Sequence, residues 1–249
     1  MADVPEVYIG TAGWSIPRQS AARFNATGSH LARYSRQLSC TEINSSFYRP
    51  HAVSTYAKWR DATPADFRFA VKMPRVITHE LKLQHARQVF ADFLAQSDGL
   101  GTKRGPILVQ LPPSLSFDAA VVADFFDAVR TAYEGPMVCE PRHPTWFAPR
   151  VASLLDRYRV ARVAADPPPP SVGLSPDGWP RLAYFRLHGS PAMYWSRYDE
   201  AFIATLAARL QSVGQAADVW CIFDNTASGA AIENAWELRE RCDYALRTG

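Results

Sequence analysis

Long apolar stretches are missing from this chain of 249 residues. No run reaches the roughly 18 residues of a membrane-spanning helix, so no such span is expected. Cysteine is scarce: Cys40, Cys139, Cys221 and Cys242 are the full set. None forms a CxxC pair, which argues against a zinc ribbon or a thioredoxin-type motif. Most sit in apolar stretches, where a free thiol behaves as a small hydrophobe, so reduced core cysteines are expected. Polybasic runs are absent too. Lys+Arg 27 against Asp+Glu 24 leaves a net charge of +3 and a pI near 8.7, below the pI of about 9 of a dedicated nucleic-acid domain. The segment from Met1 to Val7 has no basic start leading into an apolar core, so a cytoplasmic location is the expectation. There is no GxGxxG after the first apolar run, no GxSxG and no HExxH or HxH. No low-complexity linker divides the chain, and its length fits one large domain, 1–249.

What is present is a repeated pattern. Eight short apolar runs recur: Val7–Ile9, Cys40–Ile43, Phe67–Val71, Ile107–Leu111, Pro136–Cys139, Ala161–Ala165, Leu182–Leu187 and Val219–Phe223. Each has the length of a strand. The gaps hold helical stripes, such as Val122, Phe125, Phe126 and Val129, or Phe202, Ile203, Leu206, Leu210 and Val213. A further stripe runs through Ala231, Ala235, Leu238, Cys242 and Leu246. One gap departs from the pattern. After the sixth run comes Asp166 and then Pro167 to Pro170, and prolines do not continue a helix. Eight strands alternating with helices predict a single (β/α)8 TIM-type barrel whose sixth helix is missing or degenerate. A doubly wound sheet is the alternative.

Polar residues gather at the ends of the runs. Glu42 and Asn44 end the second, Lys72 the third and Gln110 the fourth. Glu140, Arg142 and His143 follow the fifth, Asp166 the sixth, Arg186 and His188 the seventh, and Asn225 the eighth. Side chains alternate along a strand, so Tyr184, Arg186 and His188 share a face opposite Phe185 and Leu187. The polar set should point into the barrel near its C-terminal mouth, where sites of this fold lie. Buried charges need partners, so Lys72 and Arg186 are expected against Glu42, Glu140 or Asp166. Parity for the eighth run is ambiguous, and Asp224 is left unassigned.

Aromatic residues crowd the following loops. Trp14, Tyr48, Tyr194 and Tyr198 read as ligand-facing, whereas Trp146 and Trp195 read as structural. Glu42, Lys72, Glu140 and His188 are the candidates for acid-base work. Trp14, Asn44, Tyr48, Gln110, Arg142, His143, Asp166, Arg186, Tyr194, Tyr198 and Asn225 are the candidates for substrate contact. Arg142 and Arg186 suit a phosphate or carboxylate. A metal set from Glu42, Glu140, Asp166, His143 and His188 lacks a supporting spacing, so neither metal nor other cofactor is expected.

The motifs together resemble those of the YecE-like family, known as domain of unknown function 72. The matching segments include Gly10-Thr11-Ala12-Gly13-Trp14-Ser15, Thr41 to Tyr48, Phe69 to Pro74, Ile107 to Pro113, Glu140 to Trp146, Phe185 to Gly189 and Asn225-Thr226 with Asn234-Ala235. The resemblance implies a TIM-type barrel akin to the endonuclease IV and xylose isomerase group, with no settled activity. There are departures from the family pattern. Pro17 to Ser29 lacks the usual Trp and Phe-Tyr-Pro, Pro141 replaces an aromatic, and Asp224 stands where Asn is common.

The reading that follows is an enzyme performing acid-base chemistry on a small polar or anionic substrate, bearing phosphate, carboxylate or sugar groups. Hydrolase, lyase and isomerase chemistry all stay open. The alternatives are a non-catalytic ligand-binding barrel and, by fold analogy, a nucleic-acid processing protein, which the modest charge disfavours. No membrane partner is expected, and a monomer is.

Overall fold

A computed structural model describes residues 5–24, 27–169 and 172–248. Every apolar run becomes strand. The first five are β1 (Val7–Ala12), β2 (Cys40–Ile43), β3 (Arg68–Lys72), β4 (Arg104–Gln110) and β5 (Met137–Glu140). The sixth run divides into β6 (Val160–Arg162) and β7 (Ala164–Asp166). Then come β8 (Asp177–Gly178), β9 (Leu182–Leu187) and β10 (Asp218–Phe223).

The strand order is β7-β9-β10-β1-β2-β3-β4-β5-β6-β8. All neighbours are parallel except β6 and β8. Leaving aside the short antiparallel β8, the two ends of that order are one stretch of chain. β6 pairs with β5, β7 pairs with β9, and only Val163 separates them. The Val163 N–H still donates to the Cys139 carbonyl at 2.9 Å. The sixth run thus leaves one neighbour for another and brings the cylinder round on itself.

Helices fill the outer layer: α1 (His30–Tyr34), α2 (Ser45–Tyr48), α3 (Val53–Asp61), α4 (Arg87–Ser97), α5 (Ala119–Ala132), α6 (Pro149–Arg157), α7 (Glu200–Val213) and α8 (Ala230–Thr248). Helices α5 and α7 start on side-chain caps. Asp118 accepts from the backbone of Ala120 and Val121 at 2.9 and 3.1 Å, and Asp199 accepts from Phe202 at 2.8 Å. In α5 the stripe Val122, Phe125, Phe126 and Val129 is buried against the barrel. Each such side chain contributes about 1.5–3 kcal/mol when removed from water. The α8 stripe is buried from Ala231 to Cys242, while Leu246 lies outside the described side chains.

No helix follows β7 among the described residues. Asp166–Pro167 is a cis peptide, and the chain returns as β8 antiparallel to β6, tied by Arg162 to Asp177 at 2.8 Å. Pro170 and Ser171 lie outside the described residues. Also among the described residues, no helix is long and apolar enough to cross a membrane.

Two cores result from strand alternation. Phe69, Val109, Phe185 and Phe223 face the helices. Cys40, Ala70, Leu108, Val138, Tyr184, Trp220 and Ile222 fill the barrel. The bulk of Trp220 needs space opposite, and Gly105 supplies it: a Cβ there would lie 2.5 Å from the indole. Gly10 is tighter still, since its Cβ would stand 2.0 Å from the Cys40 carbonyl oxygen. Gly10→Ala should therefore force β1 from β2 and destabilise the fold by about 3 kcal/mol. A urea midpoint indistinguishable from that of the parent chain would refute this.

Candidate functional site

Five strand ends bring six side chains together at the C-terminal mouth. β2 carries Glu42, β3 Lys72, β5 Glu140 and β9 Arg186, with His188 just beyond β9 and Asp224 just beyond β10. All lie on the inward parity, and all are buried.

Arg186 organises them. Its Nη2 and Nε reach Glu42 at 2.7 and 3.0 Å, its Nη1 reaches Glu140 Oε2 at 3.2 Å, and Nη2 also lies 3.0 Å from Asp224 Oδ2. A planar guanidinium with five donors suits several carboxylates at once, as an ammonium does not. Burial works against its charge, but Asp224, Glu42 and Glu140 outweigh that and hold it protonated well above its ordinary range. The Tyr184 hydroxyl donates at 2.9 Å to Glu42 Oε2, the oxygen that Arg186 Nε also reaches. Burial and the Glu42 charge push that phenol well above its usual range.

His188 stands between two carboxylates. Nδ1 is 3.0 Å from Asp224 Oδ2, and Nε2 is 2.8 Å from Glu140 Oε1. Arg142 Nη2 lies 2.8 Å from the same Nε2 and 2.6 Å from Glu140 Oε1. Nε2 therefore meets an acceptor and a donor at equal distance. Protonated, it donates to Glu140; bare, it accepts from Arg142. Either state finds a partner with no heavy atom moving. Burial raises the Glu140 carboxyl, but Arg186, Arg142 and His188 bring it far below the usual carboxylate range. Asp224 is likewise lowered, chiefly by Arg186 acting against burial.

Lys72 does not join the ion pairs. Among the described residues no carboxylate lies within 4.0 Å of its Nζ, which sits 4.3 Å over the Phe47 ring. The expected pairing of Lys72 with a glutamate is replaced by Arg186, whose fork occupies all three carboxylates. Burial and then Arg186 lower the Lys72 ammonium to about 8, with Glu42, Glu140 and Asp224 opposing.

Other candidates lie elsewhere in the mouth or its loops. Tyr194 stands edge-on to His188, ring centres 5.7 Å apart, with φ at +69°. Its N–H donates to the His188 carbonyl. Gln110 is half-buried beside Glu140 in register. Asn44 Oδ1 and Arg142 Nε are buried without a hydrogen-bond partner. Tyr48 is 72% exposed on the rim. Trp14 packs on Trp59 with centres 5.1 Å apart.

Four candidates brace rather than face the cluster. Asp166 accepts from the Tyr198 hydroxyl at 2.7 Å, and that hydroxyl accepts from the Gly189 N–H at 2.7 Å. Tyr198 itself is buried, stacked on Phe202 at 4.3 Å. Asn225 donates to Ser196 O and Asn234 Oδ1 at 2.9 and 3.1 Å. His143 accepts from Thr145 N at 3.3 Å and caps the turn Pro144–Phe147. Trp146 is structural, donating to Leu115 O at 2.9 Å, whereas Trp195 is 61% exposed. The carboxylates and histidines weighed as metal ligands are thus dispersed or engaged by arginine. Among the described residues no group of three or more His, Cys, Asp or Glu is disposed to hold a metal.

Sequence reasoning missed Asp224. Its signal was the inward pair Trp220 and Ile222, which extends to Asp224, but Trp220 to Phe223 is apolar on both faces. Tyr184 had been placed on the inward face but not in the site.

The family described as "Protein of unknown function DUF72" matches residues 8–248. The chain belongs to this family. It is 30% identical over 143 residues to the UPF0759 protein YecE of Escherichia coli K12, covering 57% of this chain and 50% of that protein. The chain thus spans about half the length of that curated relative. A solved DUF72 family protein from Enterococcus faecalis V583 superposes with a TM-score of 0.79 at 23% identity, over 98% of this chain and 99% of that one. A sugar phosphate isomerase/epimerase from Parabacteroides distasonis shares the fold at TM-score 0.54 and 13% identity, over 100% and 98% of the two chains.

Removing Arg186 tests the electrostatics of this DUF72 barrel. Arg186→Met leaves buried carboxylates uncompensated and should cost about 3–5 kcal/mol at pH 8. The pH dependence should change with it. In the parent, Glu140 and Asp224 titrate low, so their contribution is present above about pH 4 and lost as pH falls below it. In the variant the largest opposing charge is gone, with Arg142 and His188 left at Glu140 and His188 and Lys72 at Asp224, so burial raises both carboxyls relative to the parent and the deficit should shrink as pH falls from 8 to 5. Parallel stability profiles would contradict the scheme.

Proposed function

We propose that this DUF72 barrel is an enzyme that transfers protons on a small anionic or polar substrate held at the C-terminal mouth. The observation that carries the reading is the position of His188 Nε2, 2.8 Å from both the Glu140 acceptor and the Arg142 donor of one ion pair. A group that changes protonation without rearrangement suits general acid-base work. Asp224 orients the ring from Nδ1, and Glu140 stabilises the charged form. Glu42 fixes Arg186 rather than moving a proton, because both its oxygens are engaged. Lys72 and the partly exposed Arg142 attract an anionic group, and Gln110 and Asn44 offer neutral hydrogen bonds. Tyr48 and Tyr194 supply ring faces at the rim. All these residues come from one chain, which is compatible with a monomer, and the scheme invokes no cofactor.

Calorimetric titration with inorganic phosphate, oxalate and sugar phosphates, the last being the class named for one fold neighbour, tests the reading. At least one should bind. Arg142→Met and Lys72→Met should each weaken it about tenfold, or about 1.4 kcal/mol. His188→Asn should leave binding within a few-fold while abolishing turnover of any substrate so found. Wild-type affinity in both cation variants would overturn the proposal.

The exposed rings of Tyr48, Tyr194 and Trp195 favour a second reading, stacking on single-stranded nucleic acid. It predicts a gel shift at low salt that fades steeply as salt rises. No shift at the lowest salt would eliminate it.

A further inference from the structure

Lysine is rare in this chain. Of 27 basic residues only Lys58, Lys72, Lys82 and Lys103 are lysines; the other 23 are arginines. Arginine performs the structural ion pairing throughout the fold. The lysines differ sharply in setting. Lys58 and Lys82 are at the surface. Lys103 is anchored by Arg60 O, Thr63 O and Thr63 Oγ1 at 2.7, 2.8 and 3.1 Å. Lys72 is buried inside the mouth with no hydrogen-bond acceptor and no ion pair among the described residues. Its backbone is fixed, since Ser46 Oγ donates to the Lys72 carbonyl at 2.7 Å and the next residue pairs with Leu108 O at 2.9 Å. A guanidinium cannot act as a nucleophile, whereas an amine can.

We propose that the Lys72 amine forms a Schiff base with a small aldehyde or keto acid bound in this mouth, whose carboxylate is drawn by Arg142. The proposal rests on the reading of the mouth as an anion-binding, proton-transferring site and names its substrate class. The neutral amine attacks the carbonyl carbon, and the C=O π electrons pass to oxygen. Proton transfer from nitrogen to that oxygen gives a carbinolamine. Its hydroxyl takes a second proton, from His188 in its protonated state, and leaves as water. The nitrogen lone pair forms C=N, and the product is an iminium. His188, bare after giving up its proton, then takes a proton from the carbon adjacent to the iminium, and the C–H electron pair passes into the C=N bond to give the neutral enamine. The low ammonium value of about 8 gives a substantial free-amine fraction near neutrality. The groups that act on it are Arg186, Glu42, Glu140 and Asp224 across the barrel, and His79 on the loop after β3.

The test is reductive trapping of the full-length chain with glyoxylate, the probe aldehyde acid, and cyanoborohydride as hydride donor. Peptide mass spectrometry then locates N-carboxymethyl-lysine among the lysines. Lys72 should be labelled at least about tenfold faster than Lys58 or Lys82 at pH 7. Its rate should saturate with glyoxylate, fall when oxalate competes, and rise with pH to a plateau with its midpoint near 8. Lys72→Met and Lys72→Arg should both lose the fast phase with circular dichroism unchanged. If either variant misfolds, oxalate protection in the parent chain still decides. Labelling of Lys72 no faster than Lys58 and Lys82, or insensitive to oxalate, overturns the proposal. Oxalate affinity measured separately by calorimetry parts the two readings. Oxalate bound with Lys72 unlabelled ends the Schiff base and leaves the anion site standing. Neither binding nor label ends both.

Discussion

Arg186 is the cross-brace of the barrel. It rises from β9 and reaches Glu42 on β2, although β10 and β1 intervene in the sheet. It also reaches Glu140 on β5 and Asp224 after β10. A lone buried carboxylate would cost several kcal/mol, and three near one another would repel as well. One delocalised cation that contacts all three turns that repulsion into a fixed geometry. The inner core beneath, with Tyr184 against Trp220, sets the floor on which this arrangement rests.

The mouth depends on a second, softer restraint. The stretch after β9 carries Tyr194 in a left-handed conformation beside His188. Its own turn bonds, Ser196 N to Ala192 O at 2.9 Å and Ala192 N to Ser196 Oγ at 3.0 Å, are reinforced from outside it. Tyr198 ties it to Asp166 and Gly189, and Asn234 exchanges hydrogen bonds with the Tyr198 backbone at 2.9 and 3.1 Å. Asn225 adds Ser196. Conspicuous polar residues at strand ends thus divide into those that face the cluster and those that clamp a loop over it. Asp166, Asn225 and Tyr198 belong to the second set.

The barrel was legible because eight runs and their helical stripes carry the periods of strand and helix, and because the prolines after Asp166 remove a helix outright. The partner switch at Val163 was not legible, since Ala161 to Ala165 reads as one strand whichever neighbour it takes. Glu42, Glu140, Arg186 and His188 could be read together because alternation with Phe185, Leu187 and Ile43 leaves them one face. Asp224 escaped because both faces of β10 are apolar. The pairing of Lys72 could not be read, because parity gives a direction and not a distance. Which carboxylates Arg186 takes depends on the cylinder closing.

The network also narrows which protons can move. Arg186 and Arg142 do not release theirs at any working pH. Arg186 holds Glu140 and Asp224 ionised against burial, whereas burial and the Glu42 charge hold the phenol of Tyr184 protonated. Glu42 has no free oxygen, with Arg186 and Tyr184 on both. The Lys72 ammonium behaves differently. Burial and Arg186 lower it to about 8, and Glu42, Glu140 and Asp224 oppose that fall. Arg186 therefore acts on it twice: it takes the carboxylates that would otherwise pair with the ammonium, and its own charge repels the ammonium across the barrel.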